Sequence, residues 1–356
     1  MCGNPLILSP EEMMDALPAA LELAQAHFTS QCLEAILKLG VPNIVGDASL
    51  SVAEIVEAAP GTANADALQR CLRVLVNSGV FAESCRADGV LEFSLTRTGA
   101  LLQMGVPQPS MACGAHHFVE KPMWAAWSRL PDYVLGKIDT PPFQAANSLG
   151  MFDFHAKVPQ SSVPFQEFMD SLSSSELPAV VEKVGWESMG GQTVVDVGGG
   201  SGFVMGVVAD QFPQLQCICM DLPHVATAAG APPEGVSIVH GDMFDAATIP
   251  KADAVFMKHV LHNWNDEAAV RILSACSAAL PADGKVIIAE AVLPDPGQAS
   301  GASRTPFLFD ALKMLSGGRE RTLREWEALA VAAGFKLERV ERTDCPTSQI
   351  LFMARG

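Results

Sequence analysis

Charge is scarce in this 356-residue chain and leans to one sign: 18% of residues are charged, with a formal net charge of −17. Affinity for a phosphate backbone comes from clustered lysine and arginine displacing counterions, and no such cluster is present, so nucleic acid is excluded as a partner. Apolar runs stay below membrane-spanning length, which excludes a membrane helix. Met1 to Pro10 carry no basic stretch, and Glu11 and Glu12 stand where the apolar core of a secretory signal would have to continue. Repeats and low-complexity segments are absent. The nine cysteines are scattered without a paired zinc-ligand spacing. Cys217 and Cys219 alternate along an expected strand, and the set reads as reduced thiols of a cytosolic protein.

What is present is core material. Apolar residues make up 49% of the chain, enough to offset chain entropy, and the length asks for two domains rather than one α/β unit. Up to about Gly105 the spacing is helical, with Leu33, Ile36, Leu37 and Leu68, Leu72, Leu75, Val76 three and four apart, until Gly79 stops a helix. Val80-Phe81 and Glu92 to Leu95 then form strand-like pieces around a turn at Asp88-Gly89, the outline of a winged helix-turn-helix. Such a fold often reads DNA, but this segment has five basic residues (Lys38, Arg70, Arg73, Arg86, Arg97) against twelve acidic ones. A helix-rich connector is expected over residues 106–187, where Trp124, Trp127, Tyr133, Phe152, Phe154, Phe165 and Phe168 either pack a core or line an acceptor pocket.

Residues 188–356 alternate strand and helix patterns. Buried strands are expected at Thr193 to Val197, Gln216 to Met220, Val236 to Val239, Ala252 to Val260 and Gly284 to Ala289. Continuous apolar runs imply a parallel sheet covered on both faces. Phe335 to Arg342 and Ser348 to Met353 have no long helix between them, so an antiparallel edge follows. The fold class expected is therefore α/β, a Rossmann-like, mostly parallel sheet with an antiparallel edge, plus the N-terminal helical winged-helix domain.

The stretch Val194-Val195-Asp196-Val197-Gly198-Gly199-Gly200-Ser201-Gly202 runs a strand straight into a glycine turn before a helix. Glycines there let backbone approach a ligand, in the crevice at the carboxyl ends of the strands. A glycine turn alone suits a dinucleotide, a phosphate, an adenosine or a plain tight turn. Phe203 stands where a dinucleotide fingerprint needs glycine or alanine, and the P-loop lysine is missing, which leaves a nucleoside without phosphates. Asp221, at the end of the next strand, is placed to accept from a ribose diol or else to cap a helix before Pro223. Gly241-Asp242-Met243 ends the third strand, where the carboxylate could accept from an adenine amino group and the thioether pack on the ring; a solvated turn is the alternative. Three ligand-like ends on consecutive strands favour adenosine.

With these motifs and Leu261-His262-Asn263-Trp264 in order, the sequence strongly resembles the metal-independent O-methyltransferases typified by plant caffeic acid O-methyltransferase and animal hydroxyindole O-methyltransferase. The likeness spans nearly the whole chain, including the closing Gly317-Gly318-Arg319-Glu320-Arg321-Thr322. It implies S-adenosylmethionine as cofactor, no metal, and a homodimer built through the N-terminal domain (residues 1–105). By resemblance Gly198, Gly200, Asp221, Leu222, Asp242, Met243 and Lys258 hold the cofactor, His262 is the base, and Glu290 and Glu320 flank it. Phe165, Met169 and Met314 match acceptor-pocket positions, with a shortened loop around Met314. Plant members usually carry Asp after the histidine, where this chain has Asn263, so the acceptor contact there differs.

The residues support that chemistry. Methyl transfer from a sulfonium is an in-line displacement, and a neutral hydroxyl is a poor nucleophile until its proton is taken. Imidazole at a pKa of about 6.5 and a phenol at about 10 put full prior deprotonation at roughly 5 kcal/mol, so removal during attack is favoured. Glu290 could accept the other ring N–H of His262, and Glu320 could steady the ring or instead pair with Arg319 or Arg321. The acid limb of activity is then expected at a pKa of about 6.5, or higher with Glu290 charged and close. His259 and His116-His117 match no common metal spacing. The function expected is methyl transfer to a hydroxyl of a small aromatic acceptor. The competing readings are transfer to nitrogen or carbon, and a cofactor-binding protein without methyltransferase activity.

Overall fold

Ser9 starts the first helix, α1 (Pro10–Lys38), with a reciprocal cap: its hydroxyl accepts from the Glu12 N–H at 3.3 Å while the Glu12 carboxylate accepts from the Ser9 N–H at 2.8 Å. The computed structural model describes residues 6–223, 225 and 231–356, so the opening five residues and His224 of the Asp221 to Val225 motif lie outside the described residues. The chain divides into two compact units, Met1–Val119 and Glu120–Gly356.

In the first unit α1 is followed by α2 (Val41–Val45), β1 (Leu50–Ser51), α3 (Val52–Ala58), α4 (Ala65–Asn77), β2 (Phe81–Cys85), β3 (Leu91–Leu95), α5 (Arg97–Ala100) and α6 (Ala112–Val119). The three strands form an antiparallel sheet in the order β1-β3-β2. Its hairpin turns at Asp88-Gly89, with Gly89 at φ 84° and Asp88 Oδ1 accepting from Val90 N–H. That is the winged-helix outline the spacing predicts. The expected helical stripe is the core: Ile36, Leu68, Leu72 and Leu75 are buried, with Leu33, Leu37 and Val76 packed around them. α6 belongs to this unit, where His116 Nδ1 pairs with Glu34 of α1 at 2.8 Å. The rest of the stretch 106–187 contributes α7 (Lys121–Val134), α8 (Pro142–Asn147), α9 (Met151–Lys157) and α10 (Pro159–Val184) to the second unit.

The second unit is built on β4 (Thr193–Val197), β5 (Gln216–Asp221), β6 (Val236–His240), β7 (Ala254–Lys258), β8 (Lys285–Glu290), β11 (Phe335–Glu341) and β12 (Gln349–Arg355), in the order β11-β12-β8-β7-β4-β5-β6. β4 to β8 are mutually parallel, while β12 runs antiparallel to both β8 and β11. Both faces are covered, as the apolar runs require. Val255, Met257, Val286 and Ile288 face one core; Ala254, Phe256, Ile287 and Ala289 face the other. α11 (Phe203–Gln211) and α10 cover the second face, and the helices Asp266–Ala279 and Leu323–Ala332 the first. A two-stranded parallel piece, β9 (Val292–Leu293) with β10 (Arg321–Thr322), stands beyond the end of β8. The strand expected over 252–260 is shorter because His259 takes a left-handed backbone, φ 55°, which turns the chain out of the sheet.

The chain steps outward from β4 to β5 and β6, then returns to place β7 on the other side of β4. That reversal opens a crevice at the carboxyl ends of β4 and β7, where open α/β sheets bind ligands. Among the described residues no helix is long and apolar enough to cross a membrane.

Ile288 sits at the centre of β8 with 0% exposure. Ile288→Ala should destabilise the protein by about 2–5 kcal/mol through lost burial and a residual cavity, against about 0.5–1.5 for Ile288→Val, measured by chemical denaturation.

Candidate active site

Beyond β4 the chain turns through Gly198, Gly200 and Gly202 with φ of 78°, 62° and 77°. A Cβ on Gly198 would stand 2.9 Å from Val260 Cγ2, and one on Gly199 2.7 Å from Asp196 Oδ2. Only glycine lets this backbone press so closely on the end of β7 and on its own strand. Asp221, ending β5, braces the turn by accepting from the Gly200 N–H at 2.8 Å and from the Leu222 N–H at 2.7 Å. Beneath it Asp196 is fully buried, and burial together with the neighbouring Asp221 pushes its carboxyl up to about 7. Met243 reaches the same turn, its Cε 3.8 Å from where a Gly198 Cβ would be. Asp242 is exposed and closes a short turn by accepting from the Phe244 N–H at 2.9 Å. The structure therefore gathers Gly198, Gly200, Asp221, Leu222 and Met243 around one crevice, with Asp242 at its rim.

α10 lies over this crevice, with polar residues three and four apart. Gln166 donates to Asp170, and Asp170 accepts from Ser201 Oγ at 2.9 Å. Further along, Ser173 and Glu176 meet Lys258 at the end of β7, at 3.2 and 2.5 Å. Lys258 is thus held in a buried ion pair with α10. Glu176 also accepts from His259 Nε2 at 2.9 Å and from Thr347 Oγ1. Burial opposes its charge, yet His259 and Lys258 hold it well below the usual carboxylate range, and Glu176 in turn raises His259. Glu176 carries no motif signal in the sequence; the signal available is the three-and-four spacing of Gln166, Asp170 and Ser173, which sets a polar face along the helix.

His262 follows β7 in a single 3-10 turn, Leu261–Asn263. Its Nδ1 lies 2.7 Å from Glu320 Oε1 and 3.1 Å from Glu290 Oε2, and its backbone N–H donates to Glu290 Oε1 at 3.3 Å. Both carboxyls have 0% exposure. Glu290 ends β8, next to β7. Glu320 arrives through β10, whose Arg321 pairs in register with Val292 of β9, two residues past Glu290. Arg321 is fully buried and donates to the carbonyls of Leu261 and Trp264 and to Asp266, fixing the turn that carries the histidine. Gly318 packs against the same turn, where a Cβ would stand 2.1 Å from the His262 carbonyl oxygen.

The two carboxyls titrate differently. Burial opposes charge on Glu290, but His262 and His259 beside it hold it below its ordinary value. Burial pushes Glu320 up to about 7, against the pull of Lys313, His259 and Arg321. Only one of the pair need be fully charged beside the ring. The expectation of a His262 pKa at or above about 6.5 is corrected: burial drives it well below that value and outweighs the charge of Glu290, with Lys313 and His259 adding to the drop. His262 is therefore a neutral imidazole. Its hydrogen bonds among the described residues involve Nδ1 and the backbone, and none falls on Nε2.

His259, dismissed on spacing, stacks on His262 with ring centroids 5.2 Å apart. His259, His262 and Glu290 each offer one ligand atom within 4.8 Å of the others, close enough to suit a metal ion.

Of the residues expected to line an acceptor pocket, Phe165 stacks on His155 at 4.5 Å, and Met169 lies one turn along α10, half-buried. Met314 ends the helix Thr305–Met314 and is half-buried. Asn263 commits its amide, donating to the His259 carbonyl at 2.9 Å and accepting from Lys313 Nζ at 3.0 Å. The aromatic stretch divides between roles: Trp127 and Phe154 pack a small core with Met123, Phe143 and Leu315, while Phe152 is part-exposed and stacks on Trp264.

Residues 127–336 match the O-methyltransferase domain family, and residues 21–104 match the O-methyltransferase dimerisation domain. A caffeic acid 3-O-methyltransferase of Clarkia breweri is 36% identical over 335 residues, 89% of this chain and 88% of its own length. An (iso)eugenol O-methyltransferase of the same species is 35% identical over 333 residues, again 89% and 88%. Among solved structures, a methyltransferase of calicheamicin biosynthesis in its SAH-bound form is similar with a TM-score of 0.82 and 28% identity, covering 98% of this chain and 100% of that one.

Proposed function

The chain belongs to the O-methyltransferase family, enzymes that use S-adenosylmethionine, and we propose that it methylates a hydroxyl oxygen of a small aromatic acceptor with His262 as general base. The observation that carries this reading is a buried neutral imidazole whose Nδ1 faces two carboxyls while Nε2 takes no hydrogen bond among the described residues.

The crevice fits the cofactor. The glycine turn keeps side chains off the crevice at positions where a Cβ would clash with Val260 or Asp196, and the carboxylate of Asp221 stands where a ribose diol would meet it. Met243 and Asp242 would take the adenine, as a thioether on its face and an acceptor for its amino group. Lys258 would act from its ion pair with Glu176, as a fixed charge behind the turn. When bound, S-adenosylmethionine supplies an electrophilic methyl group on a sulfonium.

The remaining work falls to the protein. The acceptor would lie among Phe165, Met169 and Met314, with its hydroxyl at Nε2 of His262. Nδ1–H donating to Glu320 or Glu290 fixes the tautomer that leaves Nε2 bare. Nε2 takes the hydroxyl proton as the oxygen attacks, and the resulting imidazolium is stabilised by Glu290. A ring pKa below about 6.5 widens the gap to a phenol at about 10, so proton removal has to accompany attack rather than precede it. An ion among His259, His262 and Glu290 would occupy the ring that must accept the proton, and among the described residues the nucleoside crevice offers no further ion-ligand set, so the reaction proposed is metal-free.

The first unit supplies the homodimer. Along one face α1 exposes Met14 at 69%, Leu17 at 43%, Leu21 at 47% and Phe28 at 52%, an apolar surface too large to leave in water. A second copy of the same helix face would cover it.

S-adenosylhomocysteine should bind by calorimetry with a chelator present, and Asp221→Ala should weaken that binding by about 1.5–3 kcal/mol, the value of a charged hydrogen-bond pair. Binding lost in chelator would refute the metal-free site. His262→Gln should leave that affinity intact and lower turnover by about a hundredfold to ten-thousandfold. In the wild type the limb of kcat/KM carried by the ring should lie below pH ~6.5, because the ring must be neutral to accept and burial lowers its pKa. Glu290→Gln removes the charge that raises the ring and should move the limb lower still. A His262→Gln variant retaining more than about a third of wild-type turnover, with chemistry rate-limiting, overturns the base assignment. Sedimentation should show a dimer that Leu17→Glu with Leu21→Glu dissociates; a wild-type monomer at micromolar concentration contradicts the dimer.

A further inference from the structure

Beside His262 stands a cation that no step above uses. Lys313 lies in the last turn of the helix Thr305–Met314, and its Nζ donates to Asn263 Oδ1 at 3.0 Å, one residue along the chain from the histidine. The Asn263 amide cannot turn away, because its Nδ2 donates to the His259 carbonyl at 2.9 Å. Among the described residues no carboxylate oxygen comes within 4.0 Å of this Nζ. Glu290 Oε2 and Glu320 Oε1 stand at His262 Nδ1, at 3.1 and 2.7 Å, and Glu290 Oε1 accepts from the His262 backbone N–H. Asp310, one turn earlier on the same helix, spends Oδ1 on the Glu320 N–H at 2.9 Å.

An ammonium has three donors and a full charge, and here its partner is a neutral amide. Burial pushes Lys313 below the ordinary lysine range although Glu320 and Glu290 favour its charge, so the group is short of contact anions where desolvation is costly. Asp at position 263, the residue usual among the plant members this chain resembles, would place a carboxylate against Nζ. Asn263 leaves that role vacant in the charge balance while keeping the hydrogen bond.

We propose that Lys313 is a specificity-determining residue whose ammonium receives an anionic oxygen of the acceptor, a carboxylate adjacent to the hydroxyl that is methylated. The adjacency follows from the chain: Nζ is anchored to the residue after His262, so the charge it recognises lies next to the oxygen that His262 deprotonates. The proposal rests on the O-methylation reading and narrows its acceptor to hydroxy acids of this kind.

The test compares ortho-hydroxybenzoates with their methyl esters, first as ligands of the full-length protein saturated with S-adenosylhomocysteine, by calorimetry, and then as acceptors with labelled S-adenosylmethionine. The wild type should bind the acids tighter than the esters by about tenfold or more, the value of one charge-assisted hydrogen bond. Lys313→Met should bring that ratio to about one by weakening the acids alone, with S-adenosylhomocysteine affinity unchanged. Asn263→Asp, which pairs Nζ internally, should reduce the same ratio without removing the lysine, so the outcome does not hang on one variant folding. No acid-over-ester preference in the wild type, no binding of any acid, or a Lys313→Met loss shared equally by acids and esters overturns the proposal. A clear binding preference with no methyl incorporated into any hydroxyl would instead overturn the O-methylation reading and leave the Lys313 site standing.

Discussion

The placement of two carboxyl groups with 0% exposure on a single imidazole nitrogen is the constraint that the rest of the catalytic unit serves. Taken alone, a pair of buried like charges is unstable, and one of them answers by holding its proton near neutral pH. What makes the arrangement tolerable is the fold. β7 and β8 run parallel in register, with Lys258 opposite Ala289, so His262, four residues past β7, meets Glu290, the last residue of β8, in the crevice. β9 and β10 form a second, smaller clamp that returns the chain to the same place and delivers Glu320 from a segment far along the sequence. Arg321, immediately after it, ties the histidine turn to that clamp through three hydrogen-bond acceptors.

The same logic governs the cofactor side, with backbone rather than side chains in the lead role. Asp221 accepts from the N–H groups of Gly200 and Leu222, and the glycine turn it braces tolerates no Cβ at Gly198 or Gly199. Glu176 links the two sides. It lies on α10, pairs with Lys258 at the cofactor end and with His259 beneath the catalytic ring, and its charge is fixed by both. A helix laid across strand ends thereby becomes an electrostatic bridge between the glycine turn and the His259–His262 pair.

How much of this was legible in the sequence follows from how local each signal is. The glycine turn, Asp221 and Gly241-Asp242-Met243 are short patterns read strand by strand, and the antiparallel edge shows in the missing helix between β11 and β12. The strand over 252–260 was read too long because a left-handed residue leaves no mark in hydrophobic spacing, and His259 is not a residue type that announces φ 55°. Glu176 and Lys313 were not read at all. Each acquires meaning from a partner 83 or 50 positions away, a relation that periodicity does not contain. The ring pKa escapes the sequence for a related reason: the order of strands implies a carboxylate beside His262, but the depth of burial that outweighs it belongs to the packed structure.

The charges of the site also bear on which way a proton moves. Glu290 and Glu176 keep their charge, Lys258 is matched to Glu176, and His259 is raised between two carboxylates. Under the proposed reaction the acceptor hydroxyl would bring one proton into this setting, and Nε2 of a ring whose resting state is neutral would take it. Once the ring is charged, Glu290 and Glu320 are already in position, so the stabilisation of the imidazolium requires no reorganisation at the moment of transfer. Before that moment the same burial keeps the ring from protonating on its own, since water that would solvate a resting imidazolium is excluded. Under the proposed reaction, a base that is weak at rest and supported in the transition state would discriminate between the two, and that difference, more than basicity, would accelerate the transfer.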